Sequence, residues 1–438
     1  MVYCASVVKE HPMLQSLTVR NFKLFDEQGI TIAPSKITVL IGANGSGKSS
    51  IFQALQLLKQ NAETVHTGAF QYNGHELTLG SFADVIHNQA TEQQVEISIN
   101  VPYENLPRLE YLTPRVSRNG VYTYTINLMT GNNYSQSCTI HDDHQTYIAV
   151  KQRRRPEVTP DEFSFAEGSK IKIEATRIAG RPMEIRLTQS TDSHDNDATI
   201  SDILMLLSTI QVQLSTSRFT PAIRGFDQLN YEIFSSGARF TDGNNALLRS
   251  RALANLIAER PDIAEEVGQK IQQVLGAGSR TLRNRLAGDR VSPEMGLGRK
   301  SITLFNEAFG LNQLIPAMVD LVTADQGALV AIEEPEAYLH PRAQAALADT
   351  FVEFALNEHK QVMLTTHSEH ILMSLLGGVA SSRLQPEDLA VYELYREGDT
   401  ARAKRLAVNQ YGQIEGGLRE FMEVDIEKVG ELVASRFR

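Results

Sequence analysis

Cysteine is nearly missing from this chain: Cys4 and Cys138 are the two in 438 residues. Two thiols cannot build a disulfide framework, and neither belongs to a Cys-x-x-Cys pair that would bind zinc or run redox chemistry, so a reducing cytoplasm is the expected compartment. Long hydrophobic runs are missing too. No stretch approaches the roughly 18 uninterrupted apolar residues of a membrane span. Residues 1–14 mix lysine, glutamate, histidine and proline where a secretory leader would carry an apolar segment, so neither secretion nor a membrane partner is expected. Positive charge is in deficit, with 42 Lys and Arg against 52 Asp and Glu and a net charge of -10. That balance argues against wholesale coating of nucleic acid, although a local basic face can exist on an acidic protein. No heptad pattern is sustained, and no hook motif of paired cysteines occurs, so a long coiled-coil arm is not expected. What remains is a 42% hydrophobic chain, long enough for two or three packed units.

The strongest positive signal is the apolar run Ile37-Thr-Val-Leu-Ile41 leading into Gly42-Ala-Asn-Gly-Ser-Gly-Lys-Ser49, a match to G-x-x-x-x-G-K-[ST] at every fixed position. The run before it is β-branched and apolar, as in a buried parallel strand, and Ser50 to Lys59 reads as a helix with a broad apolar face. Gly42, Gly45 and Gly47 would let the backbone curl around a polyphosphate, with the amides of Ala43, Asn44, Ser46 and the helix start at Lys48, Ser49 and Ser50 facing its charge. Lys48 would reach the β- and γ-phosphates of ATP, and Ser49 would place its hydroxyl on Mg²⁺.

A second apolar run, Ala328-Leu-Val-Ala-Ile332, ends in Glu333-Glu334-Pro335-Glu336. It puts carboxylates at a strand's C-terminal end, the edge where α/β sheets bind ligands. In this Walker B pattern Glu333 would hold the Mg²⁺ shell, and Glu334 would orient and polarise the attacking water. Leu347, Phe351 and Phe354 then recur at i, i+4 and i+7, the stripe of a helix on a sheet, with Pro341 suited to its first turn. Gln361-Val-Met-Leu-Thr-Thr366 reads as a third strand that delivers His367, placed to hydrogen-bond a γ-phosphate.

These motifs together resemble ABC-type ATPase heads, in particular the stand-alone and coiled-coil group that includes SMC, RecF and the OLD (overcoming lysogenization defect) nucleases. Leu17-Thr-Val-Arg-Asn-Phe-Lys-Leu-Phe25 looks like their opening strand, Phe219-Thr-Pro-Ala-Ile-Arg224 resembles a Pro-x-x-Arg strand of OLD-like members, and Glu333 to Pro341 resembles their extended Walker B. The resemblance implies a signature motif contacting the ATP of a second protomer. Asn306-Glu-Ala-Phe-Gly-Leu-Asn-Gln313 stands where it should lie, with Gly310 at the close approach and Asn312 and Gln313 opening a helix; without the family, this is an ordinary helix start. Gln89 is the candidate for a glutamine that senses metal and γ-phosphate. The resemblance also implies a homodimer closed by ATP and a separate effector protein, as in bacterial anti-phage systems.

The expected fold class is therefore α/β: a P-loop core with an antiparallel β lobe and a short helical arm. Residues 1–195 would carry the P-loop and the β lobe, since 94–190 alternate polar and apolar in short runs; 196–305 the arm, since 198–290 shift to helical spacing, as in Ile203–Leu207 and Ile263–Leu275; and 306–438 the signature, Walker B and histidine. About seventy residues follow His367, too few for the nuclease domain of OLD enzymes. His141-Asp142-Asp143-His144 reads as a polar turn rather than a metal site, and Lys151-Gln-Arg-Arg-Arg155 as a solvated loop rather than a grip on nucleic acid. The competing readings are a complete ATP-dependent nuclease, a non-hydrolysing ATP-binding scaffold and a transporter motor. The first needs catalytic carboxylates that cannot be assembled, the second would lack Glu334 or His367, and the third would carry LSGGQ.

Overall fold

The computed structural model describes residues 14–63, 70–74, 77–102, 121–130, 134–141, 146–154, 161–165, 172–176, 184–189, 214–233, 246–276, 280–297, 300–306, 309–415 and 417. The run Ile37–Ile41 forms a strand buried along its whole length. Ile37, Val39 and Ile41 pack into one apolar cluster and Leu40 into another, so the strand is covered on both faces and reads as continuously apolar rather than alternating. It lies within a six-stranded sheet of order Arg218–Thr220, Leu329–Glu333, Gln361–Thr365, Ile37–Ile41, Leu389–Glu397 and Thr400–Leu406. Neighbours are parallel up to Leu389–Glu397, and Thr400–Leu406 closes the edge antiparallel after a turn at Gly398.

Helices cover both faces of this sheet. Lys48–Glu63 packs Ile51, Leu55 and Leu58 with Leu40 on the side of the β lobe. Opposite, Phe309–Thr323, Pro341–Leu356 and Glu369–Ala380 share a cluster with Ile37, Val39 and Ile41. Leu347, Phe351 and Phe354 are fully buried there, and Pro341 stands in the first turn, where its missing N–H costs no helical bond. The unit of strand, helix and strand from Leu329 to Thr365 is a parallel crossover, as read.

The antiparallel lobe is a sheet of nine strands: seven form a meander, from Glu184–Gln189 through Lys172–Thr176, Asp161–Phe165, Thr146–Arg154, Tyr134–His141 and Val121–Leu128 to Val95–Pro102, and the hairpin of Ser16–Arg20 and Ile30–Ile32 adds to its edge through Ser16–Arg20. From Val95 to Val101 buried and half-buried residues alternate, the mark of a sheet with one face on a core. Lys151 to Arg154 extend the strand Thr146–Arg154 instead of forming a loop, because pairing with Tyr134–His141 continues to their end; Arg155 lies outside the described residues, as do Asp142, Asp143 and His144.

The middle of the chain departs from its helical reading. Ala246–Glu259 and Pro261–Leu275 are helices, whereas Ile203–Leu207 lies outside the described residues. Arg280–Ala287 and Arg290–Leu297 form a hairpin around Gly288, whose φ of +64° suits the tight turn, with Lys300–Thr303 and Tyr231–Glu232 beside it. Among the sparse apolar residues of this hairpin, Leu282, Val291 and Met295 are buried. That is too thin a pattern to show a period of two. Arg218–Thr220, three residues long, joins the parallel sheet from the same stretch. No helix among the described residues is long and apolar enough to cross a membrane.

Candidate functional site

Three neighbouring strands end together. Glu333 pairs across the sheet with Thr365, and Thr365 with Leu40, so whatever follows each strand emerges at one edge. After Ile37–Ile41 comes a loop in which Gly42, Gly45 and Gly47 have φ of +139°, +75° and +100°. A side chain at Gly42 would strike the carbonyl oxygen of Leu394, and one at Gly47 would press on the Phe25 ring at 3.2 Å. The loop thus has the shape its glycines require. Ala43, Asn44 and Gly45 are exposed, Ser46 is buried with no partner for its hydroxyl among the described residues, and helix Lys48–Glu63 starts at the loop's end with Ser49 exposed and Ser50 buried. The Lys48 Nζ donates to the carbonyls of Gly42 at 2.7 Å and Ala43 at 2.9 Å. Burial lowers its pKa, and the charges of Glu334, Glu336 and Glu333 work against that shift.

Past Leu329–Glu333 the chain turns sharply. Glu334 has φ of +42° and Tyr338 +63°, both in the left-handed region that residues with a side chain rarely occupy. The Glu334 N–H donates to the Thr365 carbonyl at 2.9 Å. Its carboxylate, about half-exposed, stands 3.8 Å from Nε2 of His367. Burial, followed by the charge of Lys48, holds the His367 imidazole below its ordinary pKa, with Glu334 pulling the other way. Glu333 turns Oε2 to the Ala222 N–H at 3.2 Å.

Lys48, Ser49, Glu333, Glu334 and His367 therefore meet at one sheet edge. The other candidates behave differently. Gln89 ends a short 3₁₀ turn, with φ of +56° and its side chain exposed. Gly310 lies in the first turn of Phe309–Thr323, where an added Cβ would sit 2.5 Å from the Tyr338 carbonyl oxygen of the same chain. Asn312 and Gln313, read as facing a second copy, are buried. The Asn312 amide accepts from the Phe226 N–H at 2.7 Å and donates to its carbonyl at 2.9 Å; the Gln313 amide accepts from the Arg224 N–H at 3.1 Å and donates to the Arg224 carbonyl. Both amides bind the main chain of their own protomer.

Two residues escaped the sequence reading. Arg224 is 6% exposed and donates to the carbonyls of Glu333 and Glu334. Glu336 accepts from the Thr366 hydroxyl at 2.6 Å and the His367 N–H at 2.8 Å, and its Oε2 is buried without a partner among the described residues. Burial raises its pKa against those hydrogen bonds. The Pro-x-x-Arg and Glu-Glu-Pro-Glu patterns were visible signals, but neither pattern says which way the side chain turns.

A family profile described as AAA ATPase domain matches residues 13–372. Two curated relatives named Phosphate import ATP-binding protein PstB 1 are similar over short segments: one from Streptococcus agalactiae is 39% identical over 69 residues, 15% of this chain, and one from Streptococcus pyogenes is 34% identical over 71 residues. The matches span 27% and 28% of those relatives' lengths. Among solved structures, an SMC head bound to the C-terminal winged-helix domain of ScpA is similar in fold, with a TM-score of 0.50 at 12% identity over 91% of this chain and 99% of that one.

Proposed function

The chain belongs to the AAA ATPase domain family, and from that premise we propose that it binds ATP with Mg²⁺ at the Gly42–Ser50 loop and hydrolyses it. One observation carries the reading: the register of adjacent parallel strands sets the Glu334 carboxylate 3.8 Å from Nε2 of His367, at the same edge as Lys48. The residues fit the ligand. The glycine loop and the start of Lys48–Glu63 present amide hydrogens, Lys48 supplies a positive charge, and the exposed Ser49 hydroxyl and Glu333 supply hard oxygens for Mg²⁺. Bound Mg²⁺ would neutralise charge on the β- and γ-phosphates. Glu334 takes a proton from the attacking water, the bond from the γ-phosphorus to the bridging oxygen breaks, and ADP leaves with inorganic phosphate. His367 donates a hydrogen bond to the γ-phosphate.

In this proposal the site is completed by a second copy, as in the heads that the sequence resembles. Because Asn312 and Gln313 are turned inward and Gly310 is buried beneath the Tyr338 carbonyl, the groups we assign to that contact are the exposed rings of Phe309 and Tyr338, which meet edge to face at 4.4 Å. The cycle would switch a separate effector, in the manner of stand-alone OLD-like ATPases of defence systems; the support is the resemblance of the Pro-x-x-Arg and extended Walker B segments.

Purified protein with Mg²⁺ should release phosphate from ATP. Lys48→Ala should lose both binding and turnover, while Glu334→Gln should bind ATP and turn over about 10²-fold slower or less. Parental turnover in either variant would falsify this assignment.

A further inference from the structure

Arg224 is a buried cation that meets no carboxylate at hydrogen-bond distance among the described residues. Its Nε donates to the Gln313 carbonyl at 2.7 Å, Nη1 to the carbonyls of Pro221 at 2.9 Å and Glu333 at 2.6 Å, and Nη2 to that of Glu334 at 3.1 Å. Taking a guanidinium out of water without an ion-pair partner is unfavourable, and a neutral side chain could tie a loop without that cost. Glu336, Glu333 and Asp320 offset the burial only in part, and the pKa is drawn down to about 10, which leaves the group charged at neutral pH.

The particular capacity of arginine is a planar fork that reaches several oxygens at once. Here the oxygens belong to three segments: the loop after Arg218–Thr220, the helix Phe309–Thr323 and the turn after Leu329–Glu333. Glu334 holds a left-handed backbone that a non-glycine residue leaves unless neighbours retain it. Its N–H is held by Thr365, and its carbonyl accepts both from the Ala337 N–H of the same turn at 3.1 Å and from Arg224 at 3.1 Å, the one tether that reaches this carbonyl from outside the turn among the described residues. The grip on the helix is reciprocal, since the Gln313 amide binds both the N–H and the carbonyl of Arg224.

We propose that Arg224 is a positioning residue that keeps the Glu334 carboxylate aimed at the reaction space and, through Gln313, makes that aim depend on where the Phe309–Thr323 helix sits. The inference rests on ATP hydrolysis at this site. A contact at the exposed start of that helix would then reach Glu334 through one side chain.

The test uses the full chain and Arg224→Lys, which keeps the charge and loses the fork. We expect ATP affinity within about threefold of the parent and a kcat lower by about 10- to 100-fold, the scale of a misplaced catalytic group. In a Glu334→Gln background the same change should lower kcat no further, since the two residues act as one unit. Hydrogen exchange should rise in residues 333–339 and stay parental in Ile37–Ile41. A merely structural arginine would lower the melting temperature and raise exchange throughout, with a parental kcat per folded molecule; that result, or parental kcat and exchange in Arg224→Lys, overturns the proposal. Should Arg224→Lys fail to fold, Gln313→Ala decides: reduced kcat with retained ATP affinity supports the coupling, and parental kcat refutes it. If the parent itself does not hydrolyse ATP, the functional reading fails on its own, and exchange at 333–339 still shows whether Arg224 holds Glu334.

Discussion

Gly42 and Gly45 belong to one loop and carry the same residue for different reasons. Gly42 has φ of +139° and the Leu394 carbonyl oxygen where a Cβ would go, with the Ser46 hydroxyl oxygen 3.0 Å away. Gly45 has φ of +75° and, among the described residues, nothing within 4 Å of that position. Alanine at 45 meets only the intrinsic cost of the left-handed region, about 1–2 kcal/mol. At 42 backbone must also move, because a carbonyl in the sheet has no flexible end to yield. We expect Gly45→Ala to remain folded, with a small drop in melting temperature. Gly42→Ala should be destabilised further, by about 2–4 kcal/mol, and lose ATP binding. Equal melting temperatures would mean that the Leu394 contact does not shape the loop.

At the scale of elements, the β lobe and the ATPase sheet are joined by a clasp of charge. Arg402, on the edge strand Thr400–Leu406, donates from both Nη atoms to Asp26, at 2.8 and 2.6 Å, and the Ala401 N–H donates to the Leu24 carbonyl at 2.8 Å. The hydrogen bond from Arg402 is the main cause that draws the Asp26 carboxyl down to about 2 from its ordinary 3.8. A depressed carboxyl stabilises the fold above its unfolded value, so the contribution is complete above about pH 4 and is lost as pH falls through about 2. Solvent screens the pair, and Asp26→Asn should cost about 1 kcal/mol at pH 7. Urea titrations of parent and variant should converge between pH 4 and pH 2; a gap that stays constant over that range would show that the pair contributes packing rather than charge.

Across the whole molecule, the side bearing Glu334 also carries exposed apolar groups: Ile223 at 85%, Tyr338 at 73% and Phe309 at 54% exposure. Gly310→Glu cannot probe docking there, because the Tyr338 carbonyl of the same chain already fills the space and the fold would fail from within. Tyr338→Asp removes an exposed ring and its edge-to-face contact with the exposed Phe309, and leaves the backbone that covers Gly310 in place. In a Glu334→Gln background, light scattering with ATP should show dimers, and adding Tyr338→Asp should return monomers that still bind ATP. Dimers that form as readily after the Tyr338→Asp change would place the contact elsewhere, and monomers in both would remove the shared site from the mechanism.

The parts of the site that could be read from sequence are those in which chemistry and geometry lie within one short segment. Gly42 to Ser49 carries its own turn and helix start, Glu333 and Glu334 follow an apolar strand, and Leu347, Phe351 and Phe354 repeat at a helical period, because φ, ψ and side-chain periodicity are local properties. Tertiary structure decided what those rules do not reach. Arg224 finds Gln313 and Glu334 at 89 and 110 residues' remove, and nothing in Pro-Ala-Ile-Arg announces which carbonyls will be near. Asn312 and Gln313 were legible as polar residues at a helix start, but the direction they face follows from the loop at 221–226 packed against them. The hairpin of Arg280–Ala287 and Arg290–Leu297 likewise draws its hydrogen bonds from pairing, with few buried apolar residues to mark it beforehand. A side chain's type is written in the chain, whereas its partners are set by which distant backbone the packed fold leaves in need of a donor.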